Sequence, residues 1–279
     1  MIIDSHVHFG KSVWGDFSAE ELIKIIDNQV DYAICSNLEG IESIEFKDEY
    51  DCNIKMLEIS KKYPKLKPLL VCQPTLSNDE KTIRNLIENH SDFIGLKMHP
   101  ECLKLPANDE KYDKYLRLAE EFNLPCLYHS GHTKSRFSSP YLIYEKAKQF
   151  PTVPIILGHL STGPTNCHKE AIQILLESIE KDNANLYVDT SWIDFAYEKL
   201  NETYSDTIML IESLKNSPRG DFTHKILWAT DCPVGEFNHS KESYKSNLEV
   251  FCDRIAEYFK DDELLAKILY KNSKDLFKI

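Results

Sequence analysis

The stretch Ile2-Ile3-Asp4-Ser5-His6-Val7-His8-Phe9 decides the fold prediction, because it reads as an apolar β-strand that ends in two histidines. Side chains alternate between the two faces of a strand. His6 and His8 are therefore expected to share one face, with Asp4 one layer below them. Two imidazoles on one rigid face are a typical beginning of a metal site. A single His-x-His is weak evidence by itself, since histidines also serve as hydrogen-bonded core residues.

The composition limits the class of protein. The chain has 279 residues, of which 42% are hydrophobic, so it can bury a substantial core. Its 33 basic and 45 acidic residues give a formal net charge of −12, which predicts no broad binding to nucleic acid or to anionic membranes. The eight cysteines form no Cys-x-x-Cys pair, and no signal-peptide pattern or long apolar run is present. A cytoplasmic protein with free thiols is therefore expected.

Seven further apolar segments follow the first strand and alternate with amphipathic helical patterns. The eight predicted strands are residues 2–9, 30–35, 66–72, 93–99, 124–129, 153–159, 184–189 and 226–231. Near-continuous apolar strands are typical of a parallel sheet buried on both faces. Eight strand–helix units predict a (β/α)8 TIM barrel formed by residues 1–279 as a single domain. An open doubly wound sheet is less favoured, because no glycine-rich phosphate loop follows the first strand.

Polar side chains stand at the ends of six of these eight strands. They are His6 and His8, Lys97 and His99, His129, His159, Asp189, and Asp231. The carboxyl ends of barrel strands meet at one rim, where active sites form. Packing alone explains this pattern poorly, because each buried polar group needs a partner. Histidines with one carboxylate suit Zn²⁺ with a position left open for water, although iron, manganese or nickel would accept the same donors.

Five motifs together carry a family resemblance. They are Asp-Ser-His-Val-His at 4–8, Gly-Leu-Lys-Met-His-Pro at 95–100, Leu-Tyr-His-Ser-Gly at 127–131, Leu-Gly-His-Leu-Ser at 157–161 and Ala-Thr-Asp-Cys-Pro at 229–233. This set resembles the amidohydrolase superfamily, and it looks closest to the amidohydrolase-related branch of metal-dependent barrel enzymes. That branch includes carboxymuconate-semialdehyde decarboxylase-like members. The resemblance covers all eight strands in order but does not specify a substrate.

The resemblance implies roles for individual residues. His6, His8, His129 and Asp231 would bind the metal, and His159 would be a further ligand or a partner of the metal-bound water. Asp231 would also act as the catalytic base, and His159 would help to stabilise the developing oxyanion. Zn²⁺ is the expected ion, and both one-ion and two-ion sites are compatible with this set.

Lys97 has three interpretations. It resembles the strand-four lysine that is carboxylated and bridges two ions in two-metal members, or it contacts a substrate oxyanion together with His99. Alternatively, it caps the barrel mouth through a salt bridge. His132, in the loop after the fifth strand, is expected either to contact substrate or to be exposed. Asp189 either orients a ligand histidine or makes a structural hydrogen bond.

Two further groups of residues have weaker signals. The four histidines outside the strand ends are expected at the surface: His90, His168, His224 and His239. The loops at 37–50 and 191–205 are expected to cover the pocket. Aromatic residues in the second of these and in the strand-one loop could stack on a substrate ring or pack together: Trp192, Phe195, Tyr197, Trp14 and Phe17.

The sequence thus predicts a metal-dependent hydrolase that acts with an activated water on a small-molecule amide, lactone or ester. The alternative is a non-oxidative decarboxylase of an aromatic or enoic acid on the same site. The acidic charge and the lack of a strand-four glutamate disfavour a phosphoesterase or DNase. The full ligand set disfavours a non-catalytic scaffold. Pairing of two copies through an outer helix face would give a homo-oligomer.

Overall fold

The computed structural model describes residues 1–12, 15–42, 49–76, 79–161, 165–192, 205–234 and 240–279. Its strands are β1 Ile3–Ser12, β2 Gly15–Phe17, β3 Tyr32–Asn37, β4 Leu66–Val71, β5 Gly95–Met98, β6 Cys126–His129, β7 Ile155–Gly158, β8 Leu186–Asp189 and β9 Ile226–Leu227. Its α-helices are α1 Ala19–Ile26, α2 Leu38–Glu42, α3 Glu49–Lys62, α4 Glu80–Asn89, α5 Pro100–Leu103, α6 Asp113–Phe122, α7 Pro140–Gln149, α8 Thr165–Lys181, α9 Ser205–Lys215, α10 Lys241–Phe259, α11 Asp262–Ala266 and α12 Asn272–Phe277. A π-helical turn, Lys267–Lys271, joins the last two helices.

Eight of the strands in the described ranges are parallel and form the barrel. The order along the sheet is β2-β1-β3-β4-β5-β6-β7-β8-β9, and every neighbouring pair is parallel except the β1–β2 hairpin. Backbone hydrogen bonds close the ring: Ser5 N donates to Trp228 O at 3.0 Å, and Asp231 N donates to His6 O at 2.8 Å. The predicted (β/α)8 barrel is therefore confirmed, while its description as a single domain stays a prediction. The β2 hairpin was not predicted.

An apolar layer fills the inside of the barrel below its carboxyl rim. It contains one buried aliphatic side chain from each of six strands: Ile3, Ile34, Leu69, Leu127, Ile156 and Leu227. A larger apolar cluster lies between the strands and the surrounding helices. The polar side chains at the strand ends therefore lie directly above an apolar layer. Electrostatic interactions between them are stronger there than they would be in water.

A β-bulge in β1 changes which residues face this interior. Asp4 and Val7 are three residues apart on β1, but their partners on β3 are only two residues apart. The extra residue reverses the alternation of side chains. His6 and His8 consequently share the interior face, as expected. Asp4 instead points outward, where its Oδ2 accepts a hydrogen bond from Tyr244 of α10 at 2.7 Å. The expectation that Asp4 lies one layer below the two histidines is wrong.

The described residues include every cysteine of the chain. All eight are free thiols, and six of them are buried. Within the described part of the chain, none of the helices combines the length and the apolar character needed to cross a membrane.

Candidate metal centre

His6, His8 and Asp231 bring three metal-binding atoms together at the carboxyl rim of the barrel. Asp231 Oδ1 lies 2.9 Å from His8 Nε2 and 3.3 Å from His6 Nε2. Neighbouring ligand atoms of a tetrahedral zinc site lie about 3.3 Å apart, given bonds of about 2.0–2.1 Å to the ion. All three side chains are buried. These residues therefore fit a divalent ion in donor type and in spacing.

Asp189, at the end of β8, fixes the ring of His6. Its Oδ2 lies 2.9 Å from His6 Nδ1, and both side chains are fully buried. An ionised carboxylate can only accept a hydrogen bond, so Nδ1 carries the proton and the lone pair of Nε2 is left for the site. This contact matches the orienting role that the sequence left open for Asp189.

The other oxygen of Asp189 is also occupied. Asp189 Oδ1 accepts hydrogen bonds from His159 N at 2.9 Å, from Ser191 N at 3.1 Å and from Ser191 Oγ at 2.5 Å. His6, His159 and Asp189 form a second group of three potential ligands in the described residues. Because four hydrogen bonds saturate its carboxylate, Asp189 orients ligands better than it could serve as one.

Serine hydroxyls hold two further imidazoles. His159 Nδ1 lies 2.8 Å from Ser191 Oγ, and His8 Nδ1 lies 2.8 Å from Ser36 Oγ, in β3. In both histidines Nδ1 is the ring nitrogen that contacts the serine hydroxyl. Ser191 already donates its one hydroxyl proton to Asp189, so it accepts from Nδ1–H of His159 and leaves the lone pair of a neutral His159 on Nε2. The hydroxyl of Ser36 can donate or accept, so its contact fixes the orientation of the His8 ring without fixing the tautomer. Neither serine was predicted, although Ser36 directly follows the second predicted strand.

Gly158 makes room for this packing. A Cβ at Gly158 would lie 2.8 Å from Tyr128 O and 3.4 Å from His6 Cε1. The absence of a side chain therefore allows Gly158 to pack closely against Tyr128 of β6 and against His6. The ring of the next residue, His159, lies 4.9 Å from that of His6 in a stacked arrangement.

His129 and His99 form a stacked pair beside these residues. Their ring centroids lie 4.0 Å apart, and the ring of His129 lies 5.1 Å from that of His159. His129 belongs to neither compact three-ligand group in the described residues, so its assignment as a ligand stays a prediction. His99 Nδ1 accepts a hydrogen bond from Cys102 N at 3.2 Å. A neutral His99 therefore carries its proton on Nε2, as a hydrogen-bond donor.

Lys97 lies inside the same cluster. Its Nζ is 2.6 Å from His6 Nε2, and the residue is 1% exposed. Burial lowers the pKa of Lys97 to about 8. Within the described residues its hydrogen-bond partner is an imidazole rather than a carboxylate, which disfavours the salt-bridge interpretation.

Burial also sets the protonation of the imidazoles. It lowers the pKa of His6, His8, His99, His129 and His159 from the ordinary value. Burial alone would raise the pKa of Asp231, but the imidazoles of His159 and His6 and the hydrogen bond from His8 lower it instead. Neutral imidazoles with an ionised carboxylate are the protonation states that bind a metal.

Asp231 has a second contact that the sequence did not indicate. Trp192 Nε1 donates to Asp231 Oδ2 at 2.7 Å, and the indole is half-buried. The only sequence signal for this contact is the position of Trp192, three residues beyond the strand-end Asp189. Phe17 packs against a small apolar cluster beside the rim. The other predicted roof residues, Trp14, Phe195 and Tyr197, lie outside the described residues.

His132 contacts its own loop. It is half-buried, and its Nδ1 accepts a hydrogen bond from Lys134 N at 3.0 Å. This bond caps a turn after β6 and leaves the proposed substrate contact of His132 a prediction.

His168 corrects one surface assignment. It is fully buried, and its Nδ1 lies 2.8 Å from Asp206 Oδ2, so the expectation that it is a surface residue is wrong. The pair joins the first turns of α8 and α9, which places it in the interior. Of the other three histidines, His224 is exposed, His90 is half-buried and His239 lies outside the described residues.

Comparison with known proteins identifies the family. The family model described as Amidohydrolase matches residues 55–279. The chain belongs to the amidohydrolase family. This agrees with the five motifs and makes the protein a member of a family of enzymes. Comparison with curated protein sequences gives no match.

Several solved structures share the fold over the whole chain. A probable 2-pyrone-4,6-dicarboxylic acid hydrolase from Acinetobacter baumannii, with citric acid bound, is 17% identical, with a TM-score of 0.68 and coverage of 100% of this chain and 99% of that one. A 5-carboxyvanillate decarboxylase from Novosphingobium aromaticivorans, complexed with manganese and 4-hydroxy-3-methoxy-5-nitrobenzoic acid, is 10% identical, with a TM-score of 0.66 and coverage of 100% and 96%. A zinc-bound amidohydrolase from Burkholderia multivorans is 10% identical, with a TM-score of 0.71 and coverage of 100% and 99%.

Proposed function

We propose that this amidohydrolase is a metal-dependent hydrolase that attacks the carbonyl of a small-molecule lactone, ester or amide with water. The observation that supports this most directly is the group His6, His8 and Asp231, whose donor atoms are spaced for one ion. The hydrogen bond from His6 Nδ1 to Asp189 adds support, because it leaves the lone pair of His6 on Nε2. Lys97 Nζ, which is 2.6 Å from this atom, would have to move away for the ion to bind there.

The proposed ligands are His6, His8 and Asp231, with His129 as a further proposed ligand and His159 as either a ligand or the partner of the metal-bound water. Zn²⁺ is our first choice, and the manganese and zinc found in two relatives keep both metals in the test. When bound, the ion would supply a Lewis acid that makes water a stronger acid and polarises a carbonyl.

The side chains of the chain itself would carry out the proton transfers. Asp231 is ionised and can accept the proton of the attacking water, then return it to the leaving group. Lys97 and His99 are the residues that would stabilise an oxyanion on the attacked carbonyl, in exchange for their contacts with His6 and with Cys102 Sγ. His159, held by Ser191, would orient the attacking water.

Decarboxylation of an aromatic or enoic acid is the second candidate. Proteins similar in fold include both a hydrolase and 5-carboxyvanillate decarboxylases, so the barrel accommodates either reaction. A decarboxylase would use the same Asp231 to deliver a proton to carbon rather than to a heteroatom. Production of CO₂ distinguishes the two reactions.

The test is an assay of purified protein whose zinc and manganese content has first been measured by elemental analysis. Lactones, esters, amides and carboxylated aromatics are offered in turn, and acid release and CO₂ are both recorded. Hydrolysis without CO₂, abolished in Asp231→Asn, is the expected result. CO₂ release from a carboxylated aromatic would favour the second candidate. Protein that binds neither metal at micromolar concentrations would refute both candidates.

We propose that residues 1–279 act as one domain, because the ring of strands closes between β1 and the segment after β9. A small-molecule substrate is the expected partner. Self-association through an outer helix face stays a prediction for gel filtration with light scattering.

A further inference from the structure

The four residues Asp189–Trp192 contact three different members of the candidate metal centre. Asp189 holds His6, Ser191 holds His159, and Trp192 holds Asp231. The segment directly follows β8, so the backbone that carries these contacts is anchored to the barrel wall. Thr190 adds to this anchoring, because its N–H donates to Leu227 O of β9 at 3.0 Å.

Trp192 distinguishes the two oxygens of the Asp231 carboxylate. Oδ1 faces the imidazoles, at 2.9 Å from His8 Nε2 and 3.3 Å from His6 Nε2. Oδ2 accepts the indole N–H of Trp192 at 2.7 Å. An indole N–H can only donate, so this contact favours the ionised carboxylate. The Asp231 side chain is only 8% exposed, which shields the bond from competing water.

We propose that Trp192 is a positioning residue that fixes which oxygen of Asp231 faces the ligand histidines and which oxygen exchanges a proton. The proposal rests on the proposed function of Asp231 as both ligand and base. Without the indole N–H, the carboxylate can turn about its Cβ–Cγ bond and present either oxygen, or both, to the ion. Trp192 thereby separates the ligand role of Oδ1 from the proton-transfer role of Oδ2.

The first test removes only the hydrogen bond. In Trp192→Phe an aromatic ring remains without the donor. A second variant carries 3-benzothienylalanine at position 192, in which sulfur replaces the N–H and the shape of tryptophan is kept. Both variants should bind Zn²⁺ or Mn²⁺ about 10-fold more weakly than the natural protein, as is typical when a partner of a ligand is lost. Metal affinity is measured by titration against a competing chelator, and therefore needs no substrate.

Trp228→Phe is the matched control. Trp228 is buried and packs against Tyr244 and Phe251 on the outer side of the barrel wall. Its substitution should lower the melting temperature but leave the metal affinity within twofold of the natural protein. Once a substrate is identified, both position-192 variants should lose kcat about 10-fold or more with KM changed less than threefold. This pattern indicates altered proton transfer rather than altered binding.

The outcomes separate this inference from the proposed function. If the natural protein binds no metal, the proposed function fails, and the inference that depends on it fails with it. If the natural protein binds metal and the two position-192 variants bind it equally well, only the role of Trp192 is refuted. If Trp192→Phe is impaired but the benzothienyl variant is not, shape rather than the hydrogen bond matters, and the proposal is also refuted.

Discussion

Asp189→Asn is expected to weaken metal binding 10- to 100-fold while the barrel remains folded. The carboxylate of Asp189 accepts four hydrogen bonds, three on Oδ1 and one, from His6 Nδ1, on Oδ2. An asparagine has a single oxygen acceptor. The three donors on His159 and Ser191 would continue to hydrogen-bond to that oxygen. The new NH₂ group would then take the place of Oδ2 and face His6 Nδ1.

Two donors cannot face each other, and His6 must respond by changing its tautomer. Nδ1 then becomes the acceptor and Nε2 gains the proton, which removes the lone pair that points into the site. Loss of an orienting partner typically costs 10- to 100-fold in metal affinity. This corresponds to roughly 1.4–2.7 kcal/mol of binding free energy.

The assay is a titration of metal-free protein with Zn²⁺ and with Mn²⁺ in the presence of a competing chelator. The chain provides a matched control in Asp206→Asn. Asp206 makes the same kind of buried contact with an imidazole, at 2.8 Å from His168 Nδ1, but between α8 and α9. Both variants should lose thermal stability, whereas only Asp189→Asn should lose metal affinity. Equal metal affinities in the two variants would refute the tautomer argument.

Three further predictions address the same site. Asp231→Asn should abolish turnover and still bind metal, more weakly, because the amide oxygen remains a ligand but not a base; activity near the natural level would contradict the assigned role. Elemental analysis should find one ion per chain, since Asp189, which a second ion beside His6 and His159 would need as a ligand, already accepts four hydrogen bonds; two ions that require bicarbonate and disappear in Lys97→Gln would instead identify a carboxylated lysine bridge. Saturation with metal at 100 times its Kd should raise the melting temperature by about 4–5 °C, and an unchanged melting temperature would speak against binding to the native state.

The sequence by itself predicted the barrel and the rim on which its polar residues meet. Both depend on local patterns: apolar strands alternate with amphipathic helices, and parallel strands end on the same side. His6, His8, His159 and Asp231 could be brought together in prediction because each stands at a strand end. Lys97 was placed at the rim by the same reasoning, and the structure puts it against His6.

Only the tertiary structure decided which side chains hold these residues in position. The bulge in β1 turned Asp4 out of the barrel, and a one-residue insertion in pairing register leaves no reliable mark in the sequence. The contacts of Trp192 with Asp231 and of Asp189 with His6 join residues 39 and 183 positions apart, so they depend on strand register and ring closure. His168 was misplaced for the same reason, because burial of a helix residue depends on the helix packed against it.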